Sequence, residues 1–482
     1  MNLEKFGPKH VLKHFLNICA IPHPSGHEEK VCAYIKDFAE KHNHKYFEDE
    51  AGNLLVYVDA TPGYEDSEPF LIQAHMDMVP AKVETSNHDF LKDPISLKLV
   101  EDRYLYADGT TLGADNAVGM MYMLALMEDD SVIHPPLEML FTVREEVGLT
   151  GIREVDFSKI SARRMMNMDC GDPDTMCVST AGAACCLLKL PVCEVPVVGE
   201  LMEISIEGLL GGHGGLMIDS GRISAIVAMG RIMCQMVKKV PFNIVYTKSD
   251  RLSGIAPEMK AVIAVKEENI SFAKEVFEKI KFEICSEYEN PEKDLVITLD
   301  KYNGEKYQEM LDDKSSERLQ RMLYMMPFGV TKRDWEEKET ILCSNNTIEV
   351  AFKENSVEMD MMVRAPGDAV RDELVDRIEI LADLIGAELD VTDRFAGWPY
   401  RKDSDLQKIC NEAYTELTGK ILQVEKENAC AETGIILGEI PDMDIVAIAP
   451  LSKGAHTPYE YLDLESVEPF WKLLNLMLKK MC

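Results

Sequence analysis

Seven residues able to bind metal or transfer protons fall at the ends of apolar runs. His75 and Asp77 close "LIQAHMDMVP", and Asp115 lies in the Gly-rich "DGTTLGADNAVG". Glu145 and Glu146 follow "LEMLFTVR", Asp169 ends "MMNMD", and His456 sits in "PLSKGAHTPYE". Imidazole nitrogens mixed with carboxylate oxygens are donors of borderline softness, suited to zinc and compatible with manganese or cobalt. Each group alone has an ordinary explanation. Paired Glu residues usually face solvent, an Asp in a Gly-rich loop forms turns, and a His in a C-terminal loop lies on the surface. Those explanations leave out the recurrence at the ends of separate buried strands, which is where open α/β sheets build their sites.

The elements that must position these groups follow from hydrophobic periodicity. "HVLKHFLNIC" and "HEEKVCAYIKDFAEKH" repeat at helical spacing, whereas "NLLVYVDA" and "FLIQAHMDMV" read as strands. A helix is expected from near Asp115, then strands at "LEMLFTV" and "RRMMNMD". Such alternation predicts an α/β domain with a largely parallel sheet. From about Leu187 the pattern becomes α+β, with strands such as "LMEISIEGL" and "VEMDMMVRA" between amphipathic helices. After "FAGWPYRKDS" the chain returns to helix, short strand and helix. The expected organisation is one α/β domain, residues 1–186 plus 400–482, interrupted by an α+β insertion over 187–399.

Composition narrows the function classes. The chain has 482 residues, too many for one ordinary core. A formal charge of -33 disfavours nucleic acid as a partner, because phosphate contacts need a basic surface. No segment approaches the roughly 20 apolar residues needed to cross a bilayer, and the first residues do not read as a signal peptide. A cytoplasmic protein without membrane partners is therefore expected. The 13 cysteines are scattered, with no CxxC pair, as reduced packing residues would be; Cys177, Cys185 and Cys186 are read that way. His23, His27 and His88 are read as structural, and His10, His14, His42 and His44 as surface residues.

In "IPHPSGHEEKV", "QAHMDMVP", "HDFLKDPI", "DGTTLGADNAVGM", "EEVGLTG", "LLGGHGG", "VRAPGD", "GWPYRKDS" and "AHTPYE" the chain resembles the M20 metallopeptidases, in particular their cytosolic Xaa-His dipeptidase (aminoacyl-histidine dipeptidase, peptidase D) branch. These motifs run from residue 21 to residue 460 in the family's order. The resemblance implies a zinc-peptidase-like catalytic domain with an inserted lid for substrate binding and dimerisation. It also implies two divalent metal ions, most simply zinc. His75 and Asp169 would bind one, Glu146 and His456 the other, and Asp115 would bridge them. Asp77 and Glu145 would be catalytic without being ligands. In the lid, His213 would stabilise the oxyanion, on its own or a neighbouring subunit, and Arg364 would anchor the substrate carboxylate. A homodimer is implied by analogy. Two departures stand out. "LSGIAP" puts Ser253 or Gly254 where the branch commonly has Asn, and "NACAE" has Asn428 for a His while keeping Glu432.

These roles suit peptide hydrolysis. A bridging position needs a carboxylate, since both oxygens donate at once. Glu145 would take a proton from the attacking water and pass it to the leaving nitrogen. Adjacent Glu145 and Glu146 can do different work only if the chain bends there, because neighbours in extended chain point apart. Asp77, two residues from His75, would accept the ring's second N–H and fix its tautomer. The glycines around His213 would let that loop approach closely, and Arg364 could clamp a carboxylate bidentately. The resemblance implies hydrolysis of unblocked dipeptides, with Xaa-His substrates favoured; the alternative is another M20 reaction set by the lid (tripeptidase, carboxypeptidase or N-acyl amino acid hydrolase). A catalytically inactive binding or scaffold relative is the alternative of a different class.

Overall fold

The computed structural model describes residues 3, 5–169, 171–249 and 254–482. The chain forms two compact units, one of Met1–Ser179, Trp398–Lys426 and Ala431–Cys482, the other of Thr180–Gly397 with Glu427–Cys430. Periodicity puts the joins after residue 186 and before residue 400. The chain crosses earlier because Gly182–Pro191 is one continuous strand, paired on both sides with Ser356–Ala365 and Glu388–Phe395.

The first unit is built on an eight-stranded sheet. Its strands run in the order Lys45–Glu48, Leu54–Val58, Leu137–Thr142, Phe70–His75, Arg164–Asn167, Asp444–Ala447, Thr175–Cys177 and Gln423–Glu425. The middle four are mutually parallel. Every residue of Phe70–His75 and of Leu137–Thr142 is buried, which is why both read as unbroken apolar runs rather than as alternations. Parallel pairing has a consequence for the site. His75 pairs with Thr142, and Gln73 with Asn167, so these strands finish at one edge and release Asp77, Glu145, Glu146 and Asp169 into neighbouring loops.

Helix Ala114–Glu128 packs on this sheet and is apolar almost all round, as a buried helix must be. Its first turn is irregular: Gly113 is left-handed at φ 72°, and Asp115 and Asn116 have non-helical backbone angles. The regular helix therefore starts after the residue that matters for chemistry. Helix Lys9–Cys19 also lies on this unit, and its buried face includes His14. The expectation of four surface histidines fails here: His14 is buried with Nε2 3.0 Å from Glu128, and His10, His42 and His44 are half-buried. Their rings pack on aromatic neighbours or reach carbonyls, His10 on Trp471 and His44 Nε2 at 2.8 Å from the Met127 oxygen.

The second unit is α+β. A five-stranded antiparallel sheet has Gly182–Pro191 beside Ser356–Ala365, and a four-stranded antiparallel sheet is centred on Glu200–Glu207 and Met259–Val265. Helices Ala225–Val237, Ile270–Glu287, Asp313–Met325 and Asp368–Ile385 contribute to one continuous apolar core. Among the described residues no helix is long and apolar enough to cross a membrane.

Gly119 sets how closely helix Ala114–Glu128 meets the sheet. A Cβ there would stand 2.6 Å from Ala74 Cβ and 3.0 Å from Met168 Cβ. Gly119→Ala is expected to destabilise the fold by about 1–3 kcal/mol through overpacking, read as a lower denaturant midpoint at constant slope; an unchanged midpoint would show that the helix can shift freely.

Candidate metal centre

His75 ends its strand with both ring nitrogens committed. Nδ1 lies 3.0 Å from the Asp77 carbonyl oxygen, an acceptor only, so Nδ1 carries a proton and only Nε2 is available to a metal ion. Nε2 is 2.8 Å from Asp115 Oδ1 and 3.6 Å from Asp169 Oδ1. The other Asp115 oxygen, Oδ2, is 3.3 Å from His456 Nε2, which in turn is 2.7 Å from Glu146 Oε1. Asp115 thus faces a different histidine with each oxygen. The ligand atoms of His75, Asp115 and Asp169 lie within 4.8 Å of one another, and so do those of Asp115, Glu146 and His456. His75, Glu145 and Glu146 form a third such group. All seven residues singled out in the first unit therefore belong to one constellation or to its direct support.

Asp77 does more than face the His75 ring. Its carboxylate accepts the backbone N–H of Glu145 at 3.0 Å and of Glu146 at 3.2 Å, while Oδ1 is 3.4 Å from His75 Nδ1. The closer partner of the imidazole is the Asp77 carbonyl. Asp77 also lies beyond the strand, which stops at His75. One short residue therefore holds both His75 and the bend that carries the two glutamates. Arg144 turns that bend with φ 54°, and its N–H is held at 3.1 Å by buried Glu28, which also accepts from Gly26.

The Gly-rich loop leading to Asp115 gives its amides to Glu460. Its buried carboxylate accepts from the N–H groups of Leu112 at 2.8 Å, Gly113 at 2.8 Å and Asp115 at 3.0 Å. A second buried network ties the Asp169 loop to the sheet. Glu432 accepts from Gln73 and from Thr142 Oγ1, Gln73 accepts from Asn167 at 2.6 Å, and Asn167 accepts from the Asp169 N–H at 3.1 Å. Sequence reasoning missed Glu28, Glu460, Gln73 and Asn167 as supports. A polar Gln73 inside "LIQAH" was a signal; a carboxylate that binds amides leaves none.

Charge crowding follows from this geometry. Burial, with the adjacent Asp115 carboxylate, pushes Asp169 up to about 7. Burial also pushes Glu145 well above the ordinary carboxylate range, with Asp169, Glu146 and Glu432 adding to it. For Asp115 burial works in the same sense but is outweighed by His456 and His75, which keep it ionised. Hydrogen bonds donated to the Asp115 carboxylate and then to Glu146 raise His456 to about 11. So many carboxylates in one buried place demand positive charge. Divalent cations fit the donors present: two imidazoles and three carboxylates with oxygens and nitrogens converging, and a His75 whose Nδ1–H is engaged by a carbonyl so that Nε2 is the nitrogen turned to the carboxylates.

His213 and Arg364 belong to the second unit. His213 pairs with Gly254 in a short two-stranded ladder, and its Nδ1 accepts from the N–H groups of Gly215 and Leu216, so its proton sits on Nε2. Arg364 ends strand Ser356–Ala365 and is only 7% exposed. Of the departures in "LSGIAP", Ser253 lies outside the described residues, whereas Gly254 backs onto His213.

The comparisons with known proteins agree with one another. Residues 71–480 match the model of peptidase family M20/M25/M40. Over 481 residues the chain is 31% identical to the cytosol non-specific dipeptidase of Escherichia coli K12, covering 99% of each protein. The crystal structure of aminoacylhistidine dipeptidase from Vibrio alginolyticus is similar with a TM-score of 0.87 at 27% identity, over 100% of this chain and 98% of that one. A Staphylococcus aureus tripeptidase shares the fold at a TM-score of 0.59 and 15% identity, over 99% of each chain. With its fold, its donor set and its full-length likeness pointing the same way, this chain belongs to peptidase family M20/M25/M40.

Proposed function

We propose that this peptidase is a cytoplasmic, two-metal dipeptidase acting on unblocked dipeptides. The observation that carries the reading is Asp115, whose two oxygens face His75 and His456 respectively. His75 and Asp169 would hold one divalent ion, Glu146 and His456 the other, with Asp115 shared; zinc suits this donor set best. Such a pair of ions supplies Lewis acidity, activating water and stabilising developing negative charge.

The chain's own residues do the rest. Glu145 accepts the proton of the attacking water and delivers it to the leaving nitrogen, a task helped by burial that raises its proton affinity. Asp77 holds the Glu145 and Glu146 amides, so the base and a ligand keep one fixed relation. His213 donates from Nε2 to the oxyanion. Arg364 pairs with the free carboxylate of the substrate, which favours short peptides. Dipeptidase activity is further supported by the relatives from Escherichia coli and Vibrio alginolyticus, both named as dipeptidases.

Screening dipeptides, tripeptides and N-acetylated amino acids with added zinc tests the substrate class: dipeptides should be cleaved fastest, and preference for blocked amino termini would overturn the reading. Glu145→Gln should abolish turnover while metal content stays near that of the parent; a large loss of metal would make Glu145 a ligand. Glu460→Ala removes the acceptor from three amides around Asp115 and should weaken metal affinity about tenfold or more, measured by titrating metal into the stripped protein. Unchanged affinity would mean that the Asp115 loop holds itself.

A further inference from the structure

Within the second unit, three buried polar side chains surround the Gly214–Gly215 segment. A Cβ on Gly214 would stand 2.7 Å from Asn346 Nδ2 and 3.3 Å from Arg364 Nη1, and one on Gly215 would strike the Asn428 carbonyl. Asn346, Arg364 and Asn428 are 1%, 7% and 7% exposed. Ser344 and Arg364 are cross-strand partners, and Ser344 and Asn346 share a face of their strand.

Both amides are oriented by acceptors that admit only one arrangement. Asn346 Nδ2 donates to the Gly254 carbonyl at 3.0 Å, and Asn428 Nδ2 donates to the Gly215 carbonyl at 3.2 Å and to Ser344 Oγ at 2.8 Å. The side-chain oxygens are therefore the remaining atoms. Among the described residues, Asn346 Oδ1, Asn428 Oδ1, Arg364 Nε and Arg364 Nη1 have no hydrogen-bond partner. Two unmet acceptors beside two unmet cationic donors, all buried, are costly unless a ligand completes them.

We propose that Asn346 and Asn428 select the C-terminal residue of the substrate by accepting hydrogen bonds from neutral N–H donors. The inference rests on the dipeptidase reading, in which Arg364 takes the substrate carboxylate. Groups beside that carboxylate meet the peptide N–H and the C-terminal side chain. Two acceptors match one peptide N–H and one side-chain donor. With Asn346 and Asn428 almost fully buried, an ammonium would lose its hydration against neutral acceptors alone, so the favoured donors are carboxamide or imidazole. An apolar side chain of the same size leaves a buried acceptor unpaired, which is how a hydrogen-bonding site rejects an analogue.

Ala-Asn and Ala-Leu are nearly equal in size, and Ala-Lys adds a charge. The metal-loaded enzyme should cleave Ala-Asn with a kcat/KM about tenfold or more above Ala-Leu, with Ala-Lys poorest. Asn428→Leu and, separately, Asn346→Leu should each reduce the Ala-Asn to Ala-Leu ratio, with folding checked by thermal melting. Equal rates for Ala-Asn and Ala-Leu in the parent enzyme would overturn the proposal, whatever the variants do. So would an unchanged ratio in both variants. Cleavage of N-acetylated amino acids with no dipeptide hydrolysis would instead remove the dipeptidase reading, and the selectivity proposal with it.

Discussion

Repulsion among buried carboxylates governs this molecule's catalytic unit. Among the described residues, Asp115, Asp169, Glu145 and Glu146 converge with His75 and His456 to offset them. Taking several anions out of water is expensive unless cations accompany them. The surrounding fold can be understood as the means of holding that arrangement in place until positive charge arrives. The carboxylates hang from three loops, the Asp115 loop, the Glu145–Glu146 bend and the Asp169 loop, and each loop is fixed by hydrogen bonds that do not involve the ligand atoms.

Those supports are themselves mostly carboxylates and amides. Asp77 grips the Glu145–Glu146 bend, Glu28 grips Arg144 in the same bend, and Glu460 grips the Asp115 loop. Backbone N–H groups are good partners for buried carboxylates because they are fixed dipoles with no rotamer freedom to lose. The Glu432–Gln73–Asn167 network does the same for Asp169 across three parallel strands. Parallel pairing makes all this possible, because it brings the carboxyl ends of the strands to a common edge.

The positions of the donors were legible for the same reason. Buried parallel strands read as apolar runs, and a His or Asp at the end of a run stands out, so His75, Asp169 and the Glu145–Glu146 pair could be found from residues 71–169 alone. Asp115 and His456 needed their Gly-rich and C-terminal loops to be placed by family resemblance. The supports were harder. Glu460 lies in the quoted "AHTPYE", yet nothing in that spacing says that it reaches back to Leu112. Asp77 was read through its distance from His75, whereas its carboxylate spends most of its bonding on a loop 68 residues away. His14 was misplaced because one polar residue on the apolar face of a helix looks like the solvent-facing residues around it. Strand Gly182–Pro191 was entered late because its first residues, Gly and Ala, carry little apolar signal.

The central claim is that one aspartate joins two ion sites built from separate loops. Anomalous X-ray scattering at the zinc edge, from crystals of the zinc-loaded protein, tests it directly. Two peaks are expected, one among His75, Asp115 and Asp169 and the other among Asp115, Glu146 and His456. A single peak, or two peaks with no shared Asp115, would contradict it.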